Sequence, residues 1–122
     1  MIELDPNDAD ALNALGYSLV DANRQLDEAA ALLARAERIS PDSAALLDSL
    51  GWLAYRRGDL DAALEKLRAA HARLDDPEVA AHLGEVLWKK GEHDAARKIW
   101  TEAAARDPEH RTLRETMRRL LP

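Results

Sequence analysis

Apolar residues along this chain fall at helical spacing, and the pattern itself recurs. Three segments align, apolar at their first and fourth positions with glycine at the fifth: Leu12-Asn13-Ala14-Leu15-Gly16-Tyr17, Leu47-Asp48-Ser49-Leu50-Gly51-Trp52 and Ala80-Ala81-His82-Leu83-Gly84-Glu85. Their glycines lie 35 and 33 residues apart. Downstream of each stands an Ala-x-x-x-large element, Ala29 with Leu33, Ala63 with Leu67 and Ala96 with Trp100, followed by Ala36, Ala70 and Ala103. Prolines at 41, 77 and 108 close the units. A glycine inside a helix costs ~1 kcal/mol relative to alanine, so its recurrence needs a reason. Close approach of paired helices, with the small residues Ala29, Ala63 and Ala96 on the facing helix, supplies one.

Caps set the predicted boundaries. Asp42, Asp59, Asp76 and Asp107 stand where a carboxylate accepts an orphan amide, and Pro77 and Pro108 suit a first helical turn. Asn23, Gly58 and Gly91 sit where a left-handed residue ends a helix. The resulting expectation is helices at about 8–22, 26–39, 43–57, 60–74, 77–90, 93–106 and 109–121.

At these residues the chain resembles the tetratricopeptide repeat, a helix-turn-helix unit of ~34 residues with the pattern W-x2-L-G-x2-Y, A-x3-F, P. Leu12, Leu47 and Ala80 replace the pattern's Trp. The first turn, Asp21 to Gln25, is one residue longer than its counterparts, and the linker at Asp75-Asp76-Pro77 one shorter. The resemblance implies one all-α domain over 1–122, a right-handed superhelical solenoid of three repeats at about 8–40, 42–75 and 77–107. A capping helix over 109–121 follows, with Leu113, Met117, Leu120 and Leu121 on its buried stripe and Arg111, Arg114, Arg118 and Arg119 on its outer side. Residues 1–6 read as the tail of a preceding, truncated repeat. The matching stripe of the first helix, Ala11, Leu15 and Ser18, would then lack its cover, and either self-association through that end or burial of the chain's own leader there is expected.

Composition narrows the function. The formal net charge is −6, with all of the excess acid in the first half, which disfavours nucleic acid and anionic membrane as partners. No apolar run reaches the ~20 residues of a membrane span, so insertion by this chain is not expected. There is no cysteine, hence no disulfide or thiolate chemistry.

No nucleophile–base pair, metal spacing or glycine-rich phosphate cradle stands out, and the chain reads as a non-enzyme without a cofactor. His82 and Glu85 lie one turn apart but read as exposed polar residues, since a metal needs a third ligand and His71, His93 and His110 are scattered. The acidic start, Asp5 to Asp10, reads as helix capping rather than a calcium loop.

What the resemblance implies instead is a protein-interaction scaffold whose concave face, built by the first helix of each pair, binds a peptide or protein. The matching positions are Asn13, Tyr17, Asp21, Asp48, Trp52, Tyr55, Arg56, Glu85, Trp88 and Lys89. Trp52, Tyr55 and Trp88 either form a continuous inner patch of binding anchors or pack between helices, and the first reading is adopted. Trp100 is read as core. The Lys, Asn and Arg set of the subclass that clamps a C-terminal carboxylate is missing here. The same segments, with Arg114 to Leu120, resemble the C-terminal end of bacterial outer-membrane tetratricopeptide lipoproteins. That likeness implies a periplasmic adaptor, with a carboxyl-terminal processing protease or its substrates as partner; a cytoplasmic location and a self-assembly module joined through its repeat ends are the alternatives.

Overall fold

The structure is a computed structural model that describes residues 8–122, so the predicted tail at 1–6 lies outside the described residues. Among these residues every regular element is an α-helix: α1 (Ala9–Asp21), α2 (Leu26–Ile39), α3 (Ala44–Arg56), α4 (Leu60–Arg73), α5 (Pro77–Lys89), α6 (His93–Arg106) and α7 (Arg111–Leu120). Side chains of Asp8, Ser43, Asp59 and Asp76 accept an amide of the first turn of α1, α3, α4 and α5. Two expected caps are placed differently. Asp42 precedes the true cap, Ser43, and Asp107 ends α6 in a non-helical conformation. Pro108 therefore lies in a turn, steering Asp107 out of the helical region, and α7 starts at Arg111 with His110 Nδ1 accepting the Leu113 amide.

The turns inside the helix pairs follow the predicted lengths. Three residues join α3 to α4 and α5 to α6, each pivoting on one glycine with positive φ, Gly58 at 84° and Gly91 at 88°. The fourth residue of the α1–α2 turn is absorbed by a second left-handed position, so that Asn23 (φ 55°) and Gln25 (φ 48°) share the reversal.

The pairs α1/α2, α3/α4 and α5/α6 are antiparallel hairpins, and α1, α3, α5 and α7 stand side by side. Each outer helix, α2, α4 and α6, also touches the next inner one, which is how the hairpins stack. At the crossings the glycine's partner is the large member of the Ala-x-x-x-large element, rather than its alanine. A Cβ on Gly16 would lie 2.8 Å from Leu33 Cδ2, and one on Gly51 2.7 Å from Leu67 Cγ. On Gly84 it would fall inside the Trp100 indole. The absent side chain is thus the socket into which Leu33, Leu67 or Trp100 inserts.

Two apolar clusters result. One gathers Leu12, Val20, Leu33, Leu46 and Trp52; the other Leu67, Leu83, Leu87, Trp100 and Leu113. Tyr55 packs against both. On the outside, Asp27 pairs with Arg57 at 2.7 Å and Asp61 with Lys90, joining the start of one outer helix to the following turn. The Lys90 ammonium, through its hydrogen bond and its charge, holds the Asp61 carboxyl below the ordinary carboxylate range. Such exposed pairs are screened by water and orient the hairpins more than they stabilise them.

Candidate functional site

Each inner helix presents the residue after its glycine, and the one four after it, on neighbouring faces. In α3 these neighbours are Trp52 and Tyr55, one turn apart, stacked with ring centroids at 4.7 Å. The other face of Trp52 stacks on His82 of α5 at 4.0 Å, and the Arg56 guanidinium lies 5.1 Å from the ring centre. Trp52 is accordingly 4% exposed. The expectation of a partly open anchor is corrected here. Arg56 adds a second function, donating to the carbonyls of Val20 (3.1 Å) and Asp21 (2.8 Å) at the C-terminal end of α1, where Val20 also accepts from the Asn23 amide.

A chain of polar contacts runs around this stack. His82, expected at the surface, is 2% exposed and its Nδ1 meets Asp48 Oδ1 at 2.9 Å. Its Nε2 lies 3.2 Å from the Tyr17 hydroxyl, which donates to Glu78 Oε1 at 3.0 Å. Thr112 of α7 donates to the same Glu78 oxygen at 3.2 Å. Glu85, 5% exposed and also expected outside, accepts from Tyr55 at 2.7 Å and from Arg119 at 2.6 Å. Arg119 therefore points into the groove, not to the outer side of α7 as its helical position suggested. A buried carboxylate has to be matched by donors with good geometry, and this arginine supplies the charge while Tyr55 supplies the second bond.

Electrostatics follow from that burial. Desolvation first, then the neighbouring Glu78 charge, pushes the Tyr17 hydroxyl far above the usual phenol range. Burial and the hydrogen bond to Glu85 do the same to Tyr55, while Arg119 gains proton affinity from its bond to Glu85. Both phenols stay protonated donors. The two imidazole nitrogens of His82 face protein groups, and among the described residues no group of three or more His, Cys, Asp or Glu could hold a metal ion.

Two cavities lie along the inner helices. The larger, about 410 Å³, is walled by Asp21 from α1, Trp52 and Arg56 from α3, Glu78, His82 and Glu85 from α5, and Thr112, Glu115, Thr116 and Arg119 from α7. The second, about 220 Å³, shares Glu78 and adds Asn13, Tyr17, Asp48 and Asp76 with Ala14, Ala45, Leu74 and Val79. Eight of the ten sequence-predicted positions thus meet in one region, counting Tyr55 through its bond to Glu85. Two do not. Trp88 stacks on His93 at 3.9 Å and on Trp100 at 5.8 Å, so it belongs to the α5–α6 contact, and the continuous patch of three rings is not formed. Lys89 is exposed and lines neither cavity.

Glu78, Thr112, Glu115, Thr116 and Arg119 were missed as groove residues, and His82 was misplaced. A signal for several of them exists: Asp48 with His82, Glu78 with Thr112 and Glu85 with Arg119 are each 34 residues apart. One repeat period brings two residues side by side on adjacent inner helices, so complementary groups at that separation mark cross-repeat contacts.

The family model described as tetratricopeptide repeat matches residues 2–44 and 49–111. The chain belongs to the tetratricopeptide-repeat family. A TPR repeat-containing protein of Pseudomonas aeruginosa, PA4667, is 49% identical over 85 residues, 70% of this chain but 14% of that protein's length. The present chain corresponds to a small part of that relative. The stacked hairpins with a fourth inner helix are the tetratricopeptide solenoid in its described extent, and repeats of this family serve protein–protein interaction. No described helix is long and apolar enough to cross a membrane.

Proposed function

We propose that this chain is a binding segment of a scaffold or adaptor, taking a peptide or protein segment along the groove of α1, α3, α5 and α7. The observation that carries the reading is the 410 Å³ cavity, to which all four inner helices contribute polar side chains held in place by contacts behind them. Neighbours already saturate many of these groups, so the groove is preorganised and a ligand loses less to ordering. Family membership favours an interaction role over catalysis, and the residue chemistry of the groove offers no activated nucleophile. The resemblance to outer-membrane lipoproteins supports a periplasmic adaptor that engages a carboxyl-terminal processing protease or its substrates. That partner is part of the proposal.

A photo-crosslinking residue placed at Glu115, inside the groove, should capture a partner in cells, whereas the same residue at Arg68 on exposed outer α4 should not. Equal capture from both positions, or capture from Arg68 alone, would move the binding surface off the groove. The self-assembly reading has its own observation, Leu15 of α1 at 44% exposure. Light scattering of the isolated chain decides it: concentration-dependent association that Leu15→Lys abolishes would favour self-assembly.

A further inference from the structure

The groove walls are unequal in charge, although most of their carboxylates have partners of their own, Asp48 in His82, Glu78 in Tyr17 and Thr112, Glu85 in Tyr55 and Arg119, and Glu115 in Arg111. Asp21, Asp48, Asp76, Glu78, Glu85 and Glu115 line the two cavities, against Arg56 and Arg119. Both arginines are already engaged, Arg56 with the carbonyl end of α1 and Arg119 with Glu85. The smaller cavity has no basic residue in its wall. Trp52 and Asn13 are cavity-wall residues, but the Trp52 indole N–H and the Asn13 amide oxygen are buried and unpaired, out of reach from the cavities.

We infer that the groove selects extended segments carrying Lys or Arg and rejects acidic ones. The inference rests on the groove reading above and adds the chemistry of the ligand. The ligand's cationic head meets the carboxylate-lined wall shared at Glu78, and its methylene stem lies on Ala14, Ala45, Leu74 and Val79. An acidic segment meets like charge with no unengaged arginine to receive it.

The test uses three pools of short, blocked peptides of randomised sequence, alike except that fixed positions hold Lys, Gln or Glu. They are titrated into the isotope-labelled chain and read by amide chemical shifts. The Lys pool should perturb inner residues of α1, α3 and α5, bind about tenfold or more tighter than the Glu pool, and weaken as salt rises. The double variant Asp21→Lys/Glu115→Lys, at exposed positions, should keep its melting temperature and lose that preference. Lys and Glu pools binding the groove equally would overturn the charge selection and leave the groove reading standing. A Lys preference undiminished in the double variant would also overturn it, placing the selecting carboxylates elsewhere. If no pool perturbs the inner amides, both the selection and the groove reading fail.

Discussion

Helices α1 and α5 occupy the same position in their repeats, yet they live in different solvents. In α5 every residue from Val79 to Leu87 is buried, charged Glu85 and His82 included. In α1 only Leu12, Gly16 and Val20 are. The contrast is sharpest one residue before the repeat glycine, where Leu83 is 2% exposed and Leu15 44%. Both are leucines on an inner helix. What differs is company: α5 packs on α3, α4, α6 and α7, whereas α1 packs on α2 and α3 and reaches α5 through the Tyr17 side chain. In a solenoid the burial of a residue is a property of its neighbours, and the repeat motif alone does not report it.

The largest expected effect is on the α5 side. Trp100, fully buried in the socket left by Gly84, should cost ~3 to 5 kcal/mol when cut to Ala, measured by denaturant unfolding. Filling the socket should act nearly as strongly. Gly84→Ala forces its methyl into a rigid indole, while Gly16→Ala meets the movable end of Leu33, so the first should lose ~3 kcal/mol and the second ~1 or less. Equal losses would show that the two crossings are equally soft.

Leu83→Ala against Leu15→Ala tests the comparison directly. The buried leucine should cost ~2 to 4 kcal/mol and the exposed one under ~0.5. A comparable loss at Leu15 would mean that α1 is covered in solution. Trp52→Ala belongs with the buried group at ~3 kcal/mol, so the groove is better probed at its exposed rim than at this ring.

The phenols should matter less than the buried core side chains. Tyr17→Phe and Tyr55→Phe each remove one donor to a carboxylate and should cost ~1 to 3 kcal/mol at neutral pH. Their folded proton affinity is raised above the unfolded value, so their contribution is complete below pH ~10. It is lost as pH rises further, because the unfolded chain then sheds protons that the folded one keeps. Alkaline melts should show a steeper decline for wild type than for the double Phe variant.

The hairpins were legible because their signals are local. Glycines at 16, 51 and 84 set the repeat, and Asp59, Asp76, Gly58 and Gly91 set its turns. Failures began where contacts cross between repeats. Trp52 and Trp88 are both aromatic residues on inner helices, but one is sandwiched by His82 and the other by His93, partners that sit on different sides of the stack. Local spacing says which face a residue takes, not which neighbour covers it. Arg119 was misread for the same reason, since its outward look on an isolated α7 ignores the buried Glu85 that α5 brings beside it.

Two bonded networks of side chains beside Trp52 together reach every inner helix: Asp48, His82, Glu78 and Thr112 join α3, α5 and α7 to Tyr17 in α1, and Tyr55, Glu85 and Arg119 join α3, α5 and α7 again. A stack of hairpins joined only by nearest-neighbour packing would peel from its ends, with amide hydrogen exchange slowest in the middle and graded outward. Here the lacing makes opening of one hairpin expose unpaired carboxylates in the next. Exchange should therefore approach a single shared protection level across α1, α3, α5 and α7, and the four inner helices should come apart as one unit.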